Sequence, residues 1–423
     1  MNNSVLDARE KRIFHIDESL KESPIVLCIK ANIPGPNKNL WYGKYLVLYF
    51  KKLLEHTCDS CTSYTYQSDD GYYALIHLPD DDVISIKHFL MHIEETHPLG
   101  RLIDLDIFHR QNKSVSRIDI GAPLRTCMLC EEPAILCMRY QKHSLEEMLD
   151  FIKKETQIFL LQDIKKQIHL AIITELELED KFGLVTKSSS GSHDDMDYHL
   201  MLKAIDAILD DFVEIFKLGL LSDHLDHLFS QAKKIGIHAE KKMLEATNGI
   251  NCYKGLITVL GFACLASGYA LSHQHTFSKI FSDIQYLAKD IMNDFDRPIH
   301  TFGIKAYQDY QMTGIRGECS KGLPTVQMVL NKYPHLTKDD SITLRKALRD
   351  LIVLSEDTVF LKRSKSFNRY QEIKDEIKKL DLDNLVQIKK YTQKMIDENI
   401  SFGGSADLLI TTIYLQNIKH LFN

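Results

Sequence analysis

The sequence has no excess of positive charge, few prolines in its second half and no long uninterrupted apolar run. Its 423 residues include 52 Lys and Arg against 58 Asp and Glu, which gives a formal net charge of -6. Proteins that bind nucleic acid through a basic surface carry an excess of Lys and Arg. The charge balance therefore argues against that class, while local basic pockets for a small phosphorylated ligand remain compatible with it.

The longest apolar run, residues 256–270, is interrupted by Gly261 and Gly268. It is shorter than the roughly 20 residues that span a bilayer, so we expect a buried helix and no membrane. The first residues show no charged and then apolar signal pattern. The chain has nine cysteines, an odd number, so we do not expect disulfides. The cytoplasm is the expected compartment.

Seven of the ten prolines lie between Pro24 and Pro133, and the next is Pro298. Because proline interrupts helix interiors, this distribution predicts a multidomain chain. We expect an N-terminal α+β domain with a small mixed sheet over residues 1–155, and a C-terminal all-α helical domain over 156–423. The expected strands cover 25–33, 72–78 and 102–108, and the expected helices cover 40–56, 83–96, 158–178, 196–218, 223–247, 254–272, 276–292, 303–312, 324–332, 338–356, 368–379, 384–398 and 405–421.

The most informative run of the first part is His97–Ile107, which contains Asp104 and Asp106. Side chains two apart on a strand point to the same face, so the two carboxylates should project together. Adjacent carboxylates repel unless a cation holds them, which favours Mg²⁺. That ion would neutralise a leaving pyrophosphate, and Arg101 has the forked guanidinium that pairs with phosphate. The alternative is an exposed edge strand whose acids are incidental.

Further runs give this strand its context. Asn32–Lys38 is a rigid turn that carries a cation, and Arg125–Ala134 is rich in cysteine. With Leu6–Glu10 and His143–Glu147 they resemble, in this order, the citrate lyase holo-acyl-carrier-protein synthase family, also called apo-citrate lyase phosphoribosyl-dephospho-CoA transferase. The resemblance covers the whole first domain. It implies transfer of a phosphoribosyl-dephospho-CoA unit to a serine of the citrate lyase acyl carrier protein (gamma) subunit, with release of pyrophosphate.

The same resemblance implies roles for particular residues. Asp104 and Asp106 would hold the metal and serve catalysis, and Arg101 and Arg117 would bind the triphosphate. Lys38, the cation of the rigid turn, is a further phosphate-binding candidate.

A second metal is suggested by Cys127, Cys130, Cys137 and His143. Thiolate and imidazole are the ligands that Zn²⁺ favours, and four of them fill its tetrahedral shell. The spacing between the later members is too irregular for a standard zinc ribbon. Free buried thiols beside a surface histidine are the alternative.

In the second part, the run Ser190–Asp197 is expected to open a helix. Ser192 and Asp195, three residues apart, would form a capping box. A cap does not require Asp194 and Asp197, which should share one helix face. Asp194, Asp195 and Asp197 are therefore candidate Mg²⁺ ligands, and a cap alone is the alternative.

Three glycine-containing runs, 249–255, 314–324 and 403–407, have the character of phosphate-binding elements. The first places Lys254 at a helix start, where backbone N–H groups favour anions. Taken singly, each run is equally typical of a turn or a helix cap. The absence of a Gly-x4-Gly-Lys-Ser/Thr run excludes a P-loop. The candidate substrate-binding residues are Lys254, Arg316, Lys321, Gly403, Gly404, Ser405 and Asp407.

Together with Lys181–Val185, these runs resemble, in order, the triphosphoribosyl-dephospho-CoA synthase family over about 158–423. The resemblance implies an all-helical bundle that joins ATP to 3′-dephospho-CoA and expels adenine. The 2′-hydroxyl of dephospho-CoA would attack the ribose C1 of ATP, and the transition state would have oxocarbenium character. Carboxylates, with Asp195 and Glu318 as candidates, and a metal-bound triphosphate would stabilise it.

The sequence departs from this second family at several positions. Phe182 stands where proline is usual, Thr186-Lys187 where Asp-Arg is usual, and Tyr253 where histidine is usual. Val359 stands where the family's Asp-Ser/Thr-Asn run has its asparagine. The glycine pair that is usual after the following arginine is missing after Arg363.

The leading hypothesis is a bifunctional enzyme that makes the prosthetic-group precursor from ATP and 3′-dephospho-CoA and loads it onto the carrier protein. A second hypothesis keeps only the transferase active, with a degenerate C-terminal module that binds nucleotide or docks the lyase. A general phosphopantetheinyl transferase explains less, because the second domain would then have no purpose. A malonate decarboxylase carrier protein uses the same prosthetic group and stays open as an acceptor.

Overall fold

The computed structural model describes residues 3–58, 61–79, 82–110, 113–296 and 302–422. It forms two compact units, one of Met1–Gln162 with His420–Asn423, and one of Asp163–Lys419. The first unit combines a small sheet with helices, and the described part of the second is helical. The expected fold class is confirmed.

The first unit is built on a five-stranded sheet of order β2-β3-β1-β4-β5. Every pairing in it is antiparallel, although a mixed sheet was expected, because alternation marks a strand without recording the direction of its neighbours. Its elements are α1 (Asn3–Glu22), β1 (Ile25–Ala31), α2 (Trp41–Glu55), β2 (Thr62–Ser68), β3 (Gly71–Leu78), α3 (Val83–Thr96), β4 (Ile103–His109), β5 (Lys113–Val115), α4 (Ala134–Arg139) and the first part of α5 (Leu145–Leu176), which continues into the second unit.

The elements of this unit that were not expected are polar or short. Strand β2 reads TSYTYQS and has no apolar run, because it lies at the edge of the sheet and is largely open to solvent. Helix α1 has a negative mean hydropathy along its 20 residues. Cys58 and Cys61 are joined by a disulfide, contrary to expectation, since their Cα atoms lie 5.7 Å apart, within the range a disulfide spans.

The second unit is a bundle of helices whose bounds agree with most of those expected. Two helices, α11 and α14, were missed because seven residues are too few to show a clear helical period. The elements are α6 (Tyr198–Leu220), α7 (Leu228–Ala246), α8 (Lys254–Ser272), α9 (Phe277–Leu287), α10 (Phe302–Tyr310), α11 (Gly314–Ser320), α12 (Pro324–Lys332), α13 (Ser341–Leu354), α14 (Thr358–Ser364), α15 (Phe367–Lys378), α16 (Leu385–Asp397) and α17 (Gly403–Ile418).

Helix α8 is the apolar run noted in the sequence, and it lies at the centre of the second unit. It is long and apolar enough to cross a membrane, but 83% of its most apolar window is buried inside the protein. Glycines let it approach α6 closely: a Cβ at Gly268 would lie 2.1 Å from the Phe216 carbonyl oxygen. A Cβ at Gly219 would meet the Leu265 carbonyl oxygen at the same distance. Close packing of α6 against α8 therefore explains why glycine stands at positions 219 and 268.

The run before α6 is a loop, so the capping box expected there was wrong, although the helix expected over 196–218 forms at Tyr198–Leu220. Helix α6 begins at Tyr198, and Asp197 caps it by accepting a 2.8 Å hydrogen bond from the Leu200 N–H. Ser192 donates to the Ile400 and Met395 carbonyls instead of capping with Asp195. Asp194 and Asp197 do not share a helix face as expected. The helix begins only after Asp197, which is its N-cap, so Asp194 lies in the loop.

Candidate active sites

The first unit contains a cavity of about 850 Å³ whose mostly apolar lining includes several cations. Four basic side chains reach its wall, and its described lining includes no Asp or Glu. The segment around Gly35, within the Asn32–Lys38 run for which a rigid turn was predicted, forms another part of the wall. Such a cavity suits a ligand with several negative charges. The basic residues are Arg9, Lys38, Arg101 and Arg125.

Asp104 and Asp106 project from one face of β4, as expected. In the ladder with β1 they lie opposite Lys30 and Cys28, and Cys28 packs against Ile16 of α1. Although Asp106 is accessible to solvent, dense surrounding protein and the charge of Asp104 raise its pKa. A divalent cation would relieve this repulsion, so two adjacent carboxylates are a donor set that fits Mg²⁺.

The acidic pair is linked to the cavity through Arg125. Its guanidinium forms an ion pair with Asp104 and lies 2.8 Å from Oε1 of the buried Glu94. Arg117 donates to the other oxygen of Glu94 at 2.6 Å and to Glu95 at 2.9 Å. Arg117 therefore lies outside the cavity lining, engaged by acids, and the structure does not bring it together with Arg101.

A buried carboxylate, Asp70, holds three cations in place beside the same cavity. Arg12 forms an ion pair with it, Lys30 contacts it at 2.5 Å and Arg9 at 3.4 Å. Burial alone would raise the pKa of Asp70, but the hydrogen bonds and charges of Lys30 and Arg12 have the larger effect and lower it. Burial and the charge of Lys30 lower the pKa of Lys38, whose Nζ donates to the Ile33 carbonyl. Arg9 lies in the Leu6–Glu10 run that contributed to the resemblance, but no local pattern predicted its contact with Asp70, because the two residues are 61 positions apart.

The four predicted zinc ligands lie together at the edge of the same cavity. One possible ligand atom from each of Cys127, Cys130, Cys137 and His143 lies within 4.8 Å of all the others. Sγ of Cys130 lies 3.4 Å from Sγ of Cys137 and 3.4 Å from Nε2 of His143. The N–H groups of Leu129 and Cys130 outweigh burial and lower the pKa of Cys127.

The second unit contains a cavity of about 730 Å³ with charges of both signs. Four of the predicted residues line it: Asp195, Lys254, Gly403 and Asp407. They come from the loop before α6, the start of α8 and the first turn of α17. The structure thus brings together three runs that are widely separated in the sequence. Exposed Lys362 and Lys365, which the sequence did not single out, also line the cavity.

Asp407 lies against the first turn of α8. A Cβ at Gly255 would lie 2.1 Å from its Oδ2, so only glycine admits the carboxylate there. Burial raises the pKa of Asp407 well above its ordinary value, and the charges of Asp357 and Glu175 add to the effect. A raised pKa favours the protonated form of a carboxyl group, and that form can donate a proton.

His193 is held neutral in the wall of this cavity. Its Nδ1 accepts a hydrogen bond from Arg363 at 2.9 Å, and its Nε2 lies 3.0 Å from Oγ of Ser401. Since Nδ1 accepts, Nε2 carries the proton. Burial, and then the positive charge of Arg363, lower the pKa of His193 to about 4. Arg363 also donates to the Ser192 carbonyl at 2.7 Å, which ties the loop before α6 to α14.

Two further groups complete the cavity wall. Lys181 and Glu175 form a buried ion pair, 2.6 Å between Nζ and Oε1, and burial lowers the pKa of Lys181. Tyr253 is buried, and its hydroxyl has no hydrogen-bond partner among the described residues. Tyr253, one of the residues that depart from the pattern of the second family, therefore presents an unpaired polar group beside the cavity.

The remaining predicted residues of this half lie outside the cavity lining. Gly404 and Ser405 adjoin Asp357, which accepts from the Ser405 N–H at 2.8 Å and Oγ at 3.0 Å. Arg316 lines a separate cavity of about 400 Å³. Glu318 bonds Thr325, and Lys321 is exposed.

Comparison with known proteins decides the family of each half. Residues 2–159 match the family described as apo-citrate lyase phosphoribosyl-dephospho-CoA transferase. Residues 161–423 match the family described as ATP:dephospho-CoA triphosphoribosyl transferase. The second match covers more than half of the chain, so the chain belongs to that family, and its N-terminal residues carry a domain that matches the first. It therefore fuses a segment of the first transferase family to a segment of the second.

Relatives with the same fusion cover nearly the whole chain. A protein of Haemophilus influenzae named Protein CitXG is 29% identical over 98% of this chain and 96% of its own length. A protein of the same name from Leuconostoc mesenteroides subsp. cremoris is 28% identical over the same shares. A 2-(5''-triphosphoribosyl)-3'-dephosphocoenzyme-A synthase of Pectobacterium atrosepticum is 32% identical over 61% of this chain and 90% of its own length.

Proposed function

We propose that the C-terminal half makes 2′-(5″-triphosphoribosyl)-3′-dephospho-CoA and that the N-terminal half transfers its phosphoribosyl-dephospho-CoA unit to the citrate lyase acyl carrier protein. The observation that carries this proposal is that each family-matched segment contains its own charged cavity. ATP and 3′-dephospho-CoA are the substrates of the first step. We place the domain division between residues 155 and 156, within helix α5.

In the synthase half, two carboxyl groups have different tasks. The 2′-hydroxyl of dephospho-CoA attacks ribose C1 of ATP, the C1–O bond forms and the C1–N bond to adenine breaks. Asp195 accepts the hydroxyl proton. Asp407, whose protonated form is favoured because burial raises its pKa, donates a proton to the departing adenine. The triphosphate is bound by cations that line the cavity: Lys254, Lys362 and Lys365.

In the transferase half, the triphosphoribosyl group enters the basic cavity. Arg9, Lys38, Arg101 and Arg125 bind its phosphate oxygens. The serine hydroxyl of the carrier attacks the phosphorus nearest the ribose, and the bond to pyrophosphate breaks. Asp106 takes the serine proton with one carboxylate oxygen, which leaves its other oxygen for the metal ion.

Two kinds of metal ion belong to this proposal. Asp104 and Asp106 would hold Mg²⁺, which supplies neutralisation of the leaving pyrophosphate. In the other half, Asp194 and Asp195 are the better placed Mg²⁺ candidates, because Asp197 uses one oxygen to cap α6. Cys127, Cys130, Cys137 and His143 would hold Zn²⁺.

The proposal includes a place and a partner. The acceptor is the gamma subunit of citrate lyase, and the other ligands are nucleotides, with no role for nucleic acid or a membrane. The cytoplasm is the proposed compartment. The degenerate-module alternative is not favoured, because the family match covers 161–423 and the cavity keeps Asp195, Lys254 and Asp407.

The test uses the full chain with ATP, dephospho-CoA and Mg²⁺. Adenine release followed by mass increase of added apo-carrier protein is the expected result. Absence of adenine would remove the synthase half of the proposal. Failure to load carrier protein from supplied intermediate would remove the transferase half, and parallel reactions with the malonate decarboxylase carrier would identify the acceptor.

A further inference from the structure

Residues 125–143, here called the cysteine segment, have almost no hydrophobic core of their own. Within this fully described segment only Cys127 and Cys137 are buried. Its larger apolar side chains stay accessible to solvent, with Ile135 58% and Met138 75% exposed, and both border the cavity. Segments that cannot bury apolar surface are held by disulfides or by metal ions. All three of its cysteines are free thiols, so no disulfide holds this one.

Two of the separations between ligand atoms in the segment are close to the edges of a tetrahedral zinc site, and all of them lie within 4.8 Å. With Zn–S near 2.3 Å and Zn–N near 2.0–2.1 Å, tetrahedral edges are about 3.8 Å for S···S and about 3.6 Å for S···N. The observed Cys130–Cys137 and Cys130–His143 separations are both 3.4 Å. The Leu129 N–H points at Sγ of Cys127 at 3.4 Å, and such a bond supports a thiolate ligand.

The same segment builds one wall of the basic cavity. The guanidinium of Arg101 is fixed by its carbonyl groups, with 2.5 Å to the Thr126 oxygen and a second bond to the Cys127 oxygen. These carbonyls belong to a turn closed by the Cys127 N–H to Glu132 oxygen bond of 2.6 Å. Arg125 precedes this turn and pairs with Asp104. Two of the four cavity cations therefore depend on the fold of the cysteine segment.

We propose that Zn²⁺ bound by Cys127, Cys130, Cys137 and His143 folds this segment and thereby positions Arg101 and Arg125 to bind the triphosphate. Zinc is structural here, because four protein ligands leave no open position for a substrate or water. Loss of zinc should disorder the cavity wall without affecting the other active site. The role assigned to the cavity rests on the proposed function, whereas zinc binding does not.

The experiment measures zinc, local order and both activities on the full-length protein. The variant is Cys130→Ser, because Cys130 is only half-buried and its loss opens no core. The matched control is Cys58→Ser with Cys61→Ser, which removes two sulfurs elsewhere in the same unit. Zinc content is measured by elemental analysis, and Co²⁺ substitution reports tetrahedral thiolate ligands by visible absorption.

We expect about one zinc per chain in the wild type and in the control, and loss of most of it in Cys130→Ser. Amide exchange over 125–143 should rise in that variant, and carrier loading should fall at least 10-fold while adenine release stays unchanged. A zinc-selective chelator with Mg²⁺ in excess should reproduce the effect on wild type. Zinc-free wild-type protein that loads carrier normally, or a Cys130–Cys137 disulfide in its place, would overturn the inference. Zinc binding without any carrier loading would instead contradict the proposed function.

Discussion

Gly255, the second residue of α8, allows a sharp test of the synthase site. A Cβ at this position would lie 2.1 Å from Oδ2 of Asp407, whereas ordinary van der Waals contact begins at 3.4 Å. In Gly255→Ala the carboxylate must therefore move by more than about 1 Å. The atom that gives way is the end of a side chain, so the backbone of α8 can stay in place.

The expected loss is one of rate. Misplacing a catalytic group by about 1 Å costs on the order of 100-fold, so kcat/KM for adenine release should fall by about that factor. Alanine is favoured over glycine inside a helix by roughly 0.5–1 kcal/mol, which partly offsets the clash. The midpoint of thermal unfolding should therefore shift by no more than about 4 °C.

The matched control is Gly261→Ala in the same helix, where the nearest atom, Ile215 Cδ1, would lie 3.7 Å from the new Cβ. It makes the same substitution without the clash and should release adenine at the wild-type rate. Adenine is followed by chromatography, and carrier loading from supplied intermediate serves as an internal check on each preparation. Wild-type adenine release by Gly255→Ala would refute the placement of Asp407 in the reaction.

Three further outcomes are expected. Adenine release should fall as pH rises through the raised pKa of Asp407, because the protonated acid is the active form, and carrier loading should lack this limb. The NMR titration of His193 should have its midpoint near the pKa of about 4. Between pH 6.5 and about 4 the unfolded chain binds a proton at His193 that the folded chain does not, so His193 lowers stability as pH falls. Arg363→Gln removes a positive charge and should raise the pKa of His193 measured in this titration. Tyr253→Phe removes a buried hydroxyl that has no partner among the described residues, so stability should be retained. Loss of a hydrogen bond to substrate should raise KM for nucleotide by up to about 10-fold. An unchanged KM would place the hydroxyl outside the substrate site.

Local patterns predicted the elements and several site residues. The alternation around Asp104 and Asp106 placed both on one face of β4, and the apolar run of α8 became a buried helix. Glycines at 255 and 403 marked the starts of two helices that border one cavity. Periodicity and cap chemistry are local, which is why they survive in a single sequence.

The partners of those residues could not be predicted, because they join distant parts of the chain. Arg12 meets Asp70 across 58 residues, and Arg363 meets His193 across 170. The capping prediction failed at Ser192 because several adjacent residues could cap, and packing selected Asp197. Only the tertiary fold distinguishes such competing local solutions.

The central claim, two active sites in one chain, is tested most directly by a pair of matched amide variants assayed for both activities. Asp104→Asn should abolish carrier loading and leave adenine release intact, and Asp195→Asn should do the reverse. The two residues belong to different compact units. Asp104 pairs with Arg125 in the wall of the first cavity, and Asp195 lines the second cavity. If either variant lowered both activities by the same factor, the assignment of one reaction to each half would be wrong.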